Sequence, residues 1–342
     1  MVKNPFTPQY PISPELFFDR DELIERFIFN IEQSKEGSLT NMAFFGKFGI
    51  GKTSLLRKLE SLEISKNIPK VYITLKATYA NSFEEVIGYI YNSLTTSIKK
   101  FADSHKIKIN IPHVKLESDE KFTKDYFREY MIKLWSNISK KADLILVLID
   151  DFYLAYEYSM DIRNCFQELQ QKKCRYMLVI TTIPETLKFG RREDPVKRFF
   201  DWNEVKEFTE KNTINMIKSI INKSELELSV SIEVLKDIYT KTRGHPYYIC
   251  LFLNEIIRKL RTTFDREYSL SDREEEAMKY ISYSKDEIFT PSVIPGVSSA
   301  TATLTSLEEK EVVEKIAYGK YRFKHPLIKE YFKEKYGEDE YD

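Results

Sequence analysis

The chain has 342 residues, which at roughly 150 residues per domain predicts two domains, with a third if the last one is small. Hydrophobic residues make up 42% and charged residues 31%, a composition that excludes a disordered or collagen-like chain. The 53 basic and 53 acidic residues cancel, which excludes a global field that attracts nucleic acid or an anionic membrane.

Hydrophobic periodicity predicts alternating helices and strands over the first 208 residues. After a proline-punctuated leader, predicted helices cover about residues 20–34, 52–62, 82–100, 120–141 and 159–172. Predicted strands cover residues 41–45, 71–75, 143–149 and 175–181, with a short fifth strand at 203–208. Strands that alternate with helices predict an α/β fold with a mainly parallel sheet covered on both faces.

From about residue 209 the pattern becomes helical. Apolar residues recur at spacings of three and four over residues 209–222, 230–242 and 246–260. Further helices and a short strand at 321–323 follow. We therefore predict three parts: an α/β core (1–208), a helical lid (209–265) and a small C-terminal module (266–342).

Residues 46–53 match the phosphate-binding pattern G-x-x-x-x-G-K-[ST] without a mismatch, between a predicted strand and a predicted helix. Glycines let successive N–H groups point into one concavity, and the helix N-terminus adds its positive dipole end. Lys52 is expected to reach the β- and γ-phosphates of ATP, and Thr53 to ligate Mg²⁺. The residues expected to bind the nucleotide are Gly46, Lys47, Phe48, Gly49, Ile50, Gly51, Lys52, Thr53 and Ser54.

Two weaker interpretations of the same segment are an ordinary glycine turn and a dinucleotide-binding fingerprint. The dinucleotide interpretation is the less favoured, because the spacing is not G-x-G-x-x-G and no acidic residue ends the next predicted strand, where Lys76 follows Leu75.

Two aspartates follow the most hydrophobic predicted strand. Residues 144–149 are all apolar, and Asp150 and Asp151 come next, at the strand end where parallel sheets present their ligand crevice. Asp150 is expected to hold Mg²⁺ through water, and Asp151 to orient or deprotonate the attacking water. An aspartate is one methylene shorter than a glutamate, which predicts slow hydrolysis. The alternative is that the two aspartates simply begin a loop.

Polar and basic residues follow the fourth predicted strand. Thr181 and Thr182 end it and are candidates to hydrogen-bond the γ-phosphate or the attacking water; we assign Thr182 to the catalytic set. The basic residues Arg191, Arg192 and Arg198 are candidates to contact the γ-phosphate, since a planar guanidinium meets phosphate bidentately. A β-branched strand ending and a solvated basic loop are the respective alternatives.

Together with Gly244-His245-Pro246 in the helical part, these motifs resemble the STAND branch of the AAA+-like ATPases, most closely its prokaryotic and archaeal ATPase family. The resemblance covers about residues 15–260. It implies that Phe18 and Arg20 line the adenine pocket, that His245 and Pro246 approach the nucleotide, and that residues 321–327 belong to a winged-helix-like module. Many relatives carry an arginine after the paired threonines, whereas Ile183 and Pro184 follow here.

The resemblance implies an ATP-driven regulatory switch that binds ATP or ADP with Mg²⁺ and acts on a protein partner or by self-association. A nucleotide-regulated DNA-binding protein related to the origin-recognition ATPases is the alternative, and a small-molecule kinase is a weaker one. DNA binding by the C-terminal module is disfavoured, because residues 271–342 hold 11 basic and 16 acidic side chains. The lysines between residues 96 and 115 are a better basic candidate.

We expect no membrane partner. The longest apolar run, Leu144 to Ile149, has six residues against the roughly 20 that a membrane-spanning helix needs, and the N-terminus lacks an apolar signal-peptide stretch. Scattered cysteines without a metal-binding spacing fit a reducing compartment. The sequence therefore predicts a cytoplasmic protein.

Overall fold

The structure, a computed structural model, describes residues 4–109, 122–187, 195–224, 230–267, 270–284, 286–295, 299–324 and 326–336. The chain forms two compact units. Residues 13–207 are here called the sheet unit, and residues 1–12 with 208–342 are called the helical unit. The finer three-part division at residues 208 and 265 stays a prediction.

The sheet unit alternates helices with strands. Its strands are β1 (Asn41–Phe45), β2 (Lys70–Thr74), β3 (Ile145–Asp150), β4 (Tyr176–Thr182) and β5 (Phe200–Glu204). Its helices are α1 (Asp21–Lys35), α2 (Lys52–Ser61), α3 (Phe83–Ser104), α4 (Lys124–Ile138), α5 (Ser159–Gln171) and α6 (Pro195–Phe199).

All five strands form one sheet in the order β2-β3-β4-β1-β5, and every neighbouring pair is parallel. The prediction of an α/β fold with a parallel sheet is therefore confirmed. Because the strands run the same way, their carboxyl ends meet at one edge of the sheet. That edge receives the loops after β1, β3 and β4.

The sheet is covered on both faces because its central strands carry apolar side chains on both sides. On β3, Val147 and Ile149 pack into the cluster that includes α3, α4 and α5, whereas Leu146 and Leu148 pack against α1 and α2. Burying each such side chain contributes about 2 kcal/mol. The continuous apolar run is thus explained by burial on two faces rather than by helical periodicity.

Several helices begin where the sequence supplies a capping hydroxyl. The side chains of Ser82 and Thr123 accept hydrogen bonds from the backbone N–H groups of Glu85 and Tyr126 at the starts of α3 and α4. Helix α1 begins differently: Arg20 is its N-cap in a left-handed conformation and makes no side-chain capping bond.

The fifth strand lies earlier than predicted. Residues 203–208 were the expected strand, but β5 spans Phe200–Glu204, and Asn41 of β1 pairs with Phe200. As an edge strand, β5 can carry charged side chains inside its length, and Asp201 bonds with Arg26 of α1. The charged residues Asp201 and Glu204 interrupt the apolar pattern of this segment, and the strand predicted from that pattern therefore begins three residues too late.

The described residues of the helical unit form helices and one hairpin. Its elements are α7 (Glu210–Lys223), α8 (Ile232–Thr242), α9 (Pro246–Glu267), α10 (Asp272–Ser282), α11 (Ala300–Glu309), β6 (Val313–Ala317), β7 (Lys320–Phe323) and α12 (Pro326–Tyr336). Strands β6 and β7 pair antiparallel, and the short strand predicted at 321–323 lies within β7. Assignment of the last elements to a winged-helix-like module stays a prediction. Within the described ranges of both units, we find no helix with the length and apolarity to span a bilayer.

The buried carboxylate of Glu274 in α10 forms hydrogen bonds with Ser306 of α11 and with Lys310, the residue after α11. Glu274 accepts hydrogen bonds from the Ser271 backbone N–H at 2.6 Å, the Ser306 hydroxyl at 2.8 Å and the Lys310 ammonium at 2.7 Å. Burial alone would raise the pKa of Glu274, but the bonds from Lys310, Ser271 and Ser306 outweigh it and lower the pKa to about 2.

We expect Glu274→Gln to lower the free energy of unfolding by about 2 kcal/mol at neutral pH, because the amide cannot replace the charge-assisted bonds. A depressed pKa stabilises the fold above the ordinary carboxyl range and loses that effect as the pH falls toward about 2. The difference from wild type should therefore shrink on acidification. Urea unfolding followed by circular dichroism measures it, with the exposed Glu276→Gln as the matched control. An unchanged midpoint at neutral pH would contradict this assignment.

Candidate nucleotide-binding site

The carboxyl edge of the sheet brings the predicted motifs together. The glycine loop follows β1, Asp150 ends β3, and Thr181 and Thr182 end β4, which lies between β1 and β3. The backbone N–H of Gly46 donates to the carbonyl of Thr182 at 3.4 Å, so the loop starts against the end of β4. The structure thus gathers residues that are far apart in sequence.

Glycine is required at two positions of the loop for different reasons. At Gly46, a Cβ atom would lie 2.6 Å from the carbonyl oxygen of Val205, closer than real contacts allow. Gly51, the N-cap of α2, has a φ of 97°, in the left-handed region that favours glycine, and the helix start has no side-chain cap. The first turn of α2 therefore has backbone donors that no capping side chain uses.

Lys52 is folded onto the loop that precedes it. Its Nζ donates to the carbonyls of Gly46 at 2.7 Å and Lys47 at 2.8 Å, and the residue is only 7% exposed. Burial lowers the pKa of Lys52, while the carboxylates of Asp151 and Asp150 act in the opposite direction. The ammonium therefore lies at the glycine loop and within electrostatic reach of the acidic pair.

The acidic pair is organised by Thr181. The hydroxyl of Thr181 donates to Asp150 Oδ1 at 2.5 Å and accepts from the backbone N–H of Asp151 at 3.0 Å. Asp151 has a φ of 58°, a left-handed conformation that turns the chain sharply after β3. Burial raises the pKa of Asp151, and the nearby Asp150 raises it further. A carboxyl with a raised pKa next to a cation is a suitable proton acceptor.

Tyr72 is a member of the site that sequence analysis missed. Its hydroxyl donates to Asp150 Oδ2 at 3.0 Å, and the Arg57 guanidinium lies 3.6 Å from the centre of its ring. Burial and the adjacent Asp150 raise the pKa of Tyr72, so it stays a donor. The sequence gives one indication that Tyr72 could lie at the site, namely its position on the predicted strand that precedes the strand ending in Asp150. The contact itself depends on the pairing of β2 with β3.

The remaining predicted polar residues have separate surroundings. The hydroxyl of Thr182 donates to Thr186 at 3.2 Å, so it is Thr181 that contacts the acidic pair. Thr53 and Ser54 lie partly buried in the first turn of α2. The catalytic role predicted for Thr182 stays a prediction.

Three side chains of the glycine loop contact other residues of the sheet unit. Lys47 forms an ion pair with Glu207 at 2.7 Å, and Phe48, 64% exposed, meets the ring of Tyr153 edge-on at 5.7 Å. Ile50 is buried in the apolar cluster below the sheet. These side chains thus have partners within the sheet unit, and the backbone N–H groups of Gly46 and Ile50 donate to the carbonyls of Thr182 and Lys47, each at 3.4 Å.

The predicted adenine-binding turn, which carries Arg20, lies beside residues 205–207, the segment after β5 that also contacts the glycine loop. Arg20 donates to the carbonyl of Lys206, and burial lowers its pKa, opposed by Asp19 and Glu207. Residues 205–207 thus contact both the turn that carries Arg20 and the start of the glycine loop. Phe18 is partly buried in that turn. Adenine binding by Phe18 and Arg20 stays a prediction.

His245 and Pro246 lie in the helical unit, at the start of α9. Gly244 has a φ of 74°, and a Cβ there would lie 1.9 Å from the carbonyl oxygen of Phe208, which explains the glycine. The His245 ring packs against Tyr248 at 4.7 Å. The approach of His245 and Pro246 to the nucleotide stays a prediction.

The three arginines that are candidates to contact the γ-phosphate lie between β4 and β5 in sequence. Arg198 is exposed in α6, whereas Arg191 and Arg192 lie outside the described residues.

The donor set at β3 fits a hard divalent cation. Asp150 is 1% exposed, and its two oxygens accept hydrogen bonds from the neutral hydroxyls of Thr181 and Tyr72. A buried carboxylate needs a compensating charge, and Mg²⁺ prefers oxygen ligands. The residues expected to hold it are Asp150 and Thr53.

No protein-family model matches the sequence, and no curated protein matches it either. Solved structures do share the fold. A Walker-type ATPase of Pyrococcus abyssi is similar with a TM-score of 0.54 and 17% identity, over 96% of this chain and 99% of that one. The ORC2 protein of Aeropyrum pernix, solved in ADPNP–ADP complexes, has a TM-score of 0.51 and 13% identity, over 98% of each chain. The chain therefore has the fold of the AAA+ P-loop ATPases, as its sequence predicted.

Proposed function

We propose that this protein binds ATP with Mg²⁺ and hydrolyses it slowly, as a STAND-type regulatory switch. The observation that carries the proposal is the position of Lys52 at the glycine loop, within electrostatic reach of Asp150 and Asp151. A triphosphate needs amide donors and a cation, and its hydrolysis needs a metal-holding carboxylate and a proton acceptor. The likeness to the two nucleotide-associated structures supports the proposal at the level of fold.

In the proposed binding mode, the backbone N–H groups of residues 47–49 and of residues 51–53, at the start of α2, hold the phosphates. The Lys52 ammonium exchanges the carbonyls of Gly46 and Lys47 for phosphate oxygens, which are stronger, charged acceptors. Phe18 and Arg20 are the proposed neighbours of the base, and His245 and Pro246 are further proposed contacts. Mg²⁺, held by Asp150 and Thr53, supplies charge neutralisation when bound.

For hydrolysis, Asp151 is the proposed proton acceptor for the attacking water. The raised pKa of Asp151 favours proton uptake, but its short side chain limits how well it can reach the water. Turnover is therefore expected below about one per second. Slow turnover suits a switch, because each nucleotide state persists long enough for a partner to recognise it.

We expect Lys52→Ala to weaken ATP binding about 100-fold, equivalent to losing about 3 kcal/mol of charge-assisted contacts. Asp150→Asn and Asp151→Asn should retain measurable binding but reduce hydrolysis at least about 100-fold, since they act on the metal and the proton. Titration calorimetry with ATP and a phosphate-release assay measure the two effects. The exposed Lys66→Ala is the control. Equal loss of binding in all three variants would contradict the assigned roles.

The hydrogen bonds of the two threonines generate a separate test. Thr181→Val removes the hydrogen bonds to the Asp150 carboxylate and from the Asp151 N–H while keeping the shape of the side chain, and should lower kcat about tenfold with ATP affinity unchanged. Thr182→Val, which removes the bond to Thr186, is the matched comparison. Steady-state kinetics at saturating Mg²⁺ measures both. A full loss in Thr182→Val alone would assign the sensing role to Thr182 and contradict the role given to Thr181.

The second candidate is a nucleotide-regulated DNA-binding protein. It is supported by the likeness to ORC2 and by exposed lysines near the end of α3, namely Lys99, Lys100, Lys106 and Lys108. Binding through phosphate contacts would weaken steeply with salt. A mobility-shift titration with duplex DNA at increasing salt, with and without ATP, tests it. Absence of salt-sensitive binding at low ionic strength would eliminate this candidate.

A further inference from the structure

The outer edge of β2 is open. Strand β2 lies at the end of the sheet order and pairs with β3 alone among the described strands. The carbonyl of Pro69 accepts from Leu146 at 3.0 Å, and the N–H of Leu75 donates to Asp150 at 3.1 Å, so the odd-numbered residues face β3. In a parallel ladder the alternate residues face away. The N–H and C=O groups of Lys70, Tyr72 and Thr74 therefore point out of the sheet.

A groove runs along this open edge. It has a volume of about 630 Å³ and is floored by the outward residues of β2, with α2 on one side and α3 on the other. The α2 wall includes Arg57 and Glu60, and the α3 wall includes Ser97 and Lys100. At about 3.3 Å per residue, the segment from Lys70 to Lys76 is about 20 Å long, the length of an ordinary strand.

Hydrogen bonds within the sheet unit lie at both ends of the groove. At one end, the Lys70 ammonium donates to the carbonyl of Glu60 at 2.6 Å, near the end of α2. At the other end, the Tyr89 hydroxyl donates to the carbonyl of Thr74 at 3.4 Å, and the N–H of Tyr79 donates to the carbonyl of Lys76 at 2.9 Å. The middle of the edge, around Tyr72, is thus the part open to a new strand.

The groove is basic. Its charged lining residues are four cations and one anion: Arg57, Lys70, Lys76, Lys100 and Glu60. Arg57 lies over the Tyr72 ring and bonds with Glu60 at 3.2 Å, and Lys70 is engaged with α2. Lys76 and Lys100 are exposed and are the cations most accessible to a ligand. A ligand with acidic side chains complements this charge.

We propose that the open edge of β2 binds an extended acidic peptide segment of a partner protein, which pairs with β2 as an added strand. A polypeptide offers alternating N–H and C=O groups, which match those of the edge, whereas a DNA backbone offers acceptors alone. Acidic side chains on the added strand would meet Lys76 and Lys100. This inference does not depend on the proposed ATPase function, because strand pairing at this edge needs no nucleotide.

The test uses the full chain without nucleotide and a fluorescein-labelled peptide of about nine residues in which glutamate alternates with valine or threonine. Fluorescence anisotropy is expected to show binding. The same peptide carrying N-methyl groups on its three central residues keeps its charge but loses backbone donors, and should bind at least about tenfold more weakly. Equal binding of both peptides would overturn strand pairing.

Two lysine variants locate the site. Lys100→Glu should weaken peptide binding at least about fivefold, whereas Lys99→Glu, at a neighbouring exposed position that does not line the groove, should change it less than twofold. Circular dichroism checks that both variants fold. Equal effects of the two substitutions would overturn the groove as the site. Binding of a single-stranded oligonucleotide that is lost in Lys100→Glu, with no peptide binding to wild type, would also overturn the proposal in favour of a nucleic-acid surface.

Discussion

The buried carboxylate of Asp150 is the constraint on which the geometry of the site depends. A negative charge at the end of a fully buried strand is costly unless its surroundings are arranged to hold it. Here Thr181 on one neighbouring strand and Tyr72 on the other each donate a hydroxyl to one carboxylate oxygen. Three parallel strands are therefore linked at their functional edge through one side chain, and Lys52 faces the same charge from the glycine loop.

The conformation of the glycine loop depends on close packing at Gly46 as well as on the left-handed backbone of Gly51. Gly46 is in contact range of the Val205 carbonyl, so the segment after β5 fixes where the loop begins. The same segment receives Arg20 through Lys206 and Lys47 through Glu207. One short stretch of chain thus positions both the proposed phosphate-binding loop and the turn proposed to contact the base.

The two edge strands of the sheet, β5 and β2, differ in how their charged residues are paired. At the β5 end, Asp201 is paired with Arg26, so charge on an edge strand is neutralised within the unit. At the β2 end, cations line an edge where the Thr74 carbonyl accepts from Tyr89 and the Lys70 ammonium donates to the carbonyl of Glu60. Tyr72 belongs to both the groove and the surroundings of Asp150. A ligand on the open edge would therefore lie one side chain away from the proposed metal-binding carboxylate.

The sequence alone determined the elements of the core, the glycine loop and the acidic strand end, because these depend on local properties: the periodicity of apolar residues, the glycine spacing and the burial of a continuous apolar run. It misplaced β5, where charged residues on an edge strand broke the pattern. It could not identify Tyr72 as a neighbour of Asp150 or separate the contacts of Thr181 from those of Thr182, since strand order and side-chain direction are set by long-range pairing. The tertiary structure alone decided which residues from distant segments share the carboxyl edge, because only packing of the whole sheet fixes the register between strands.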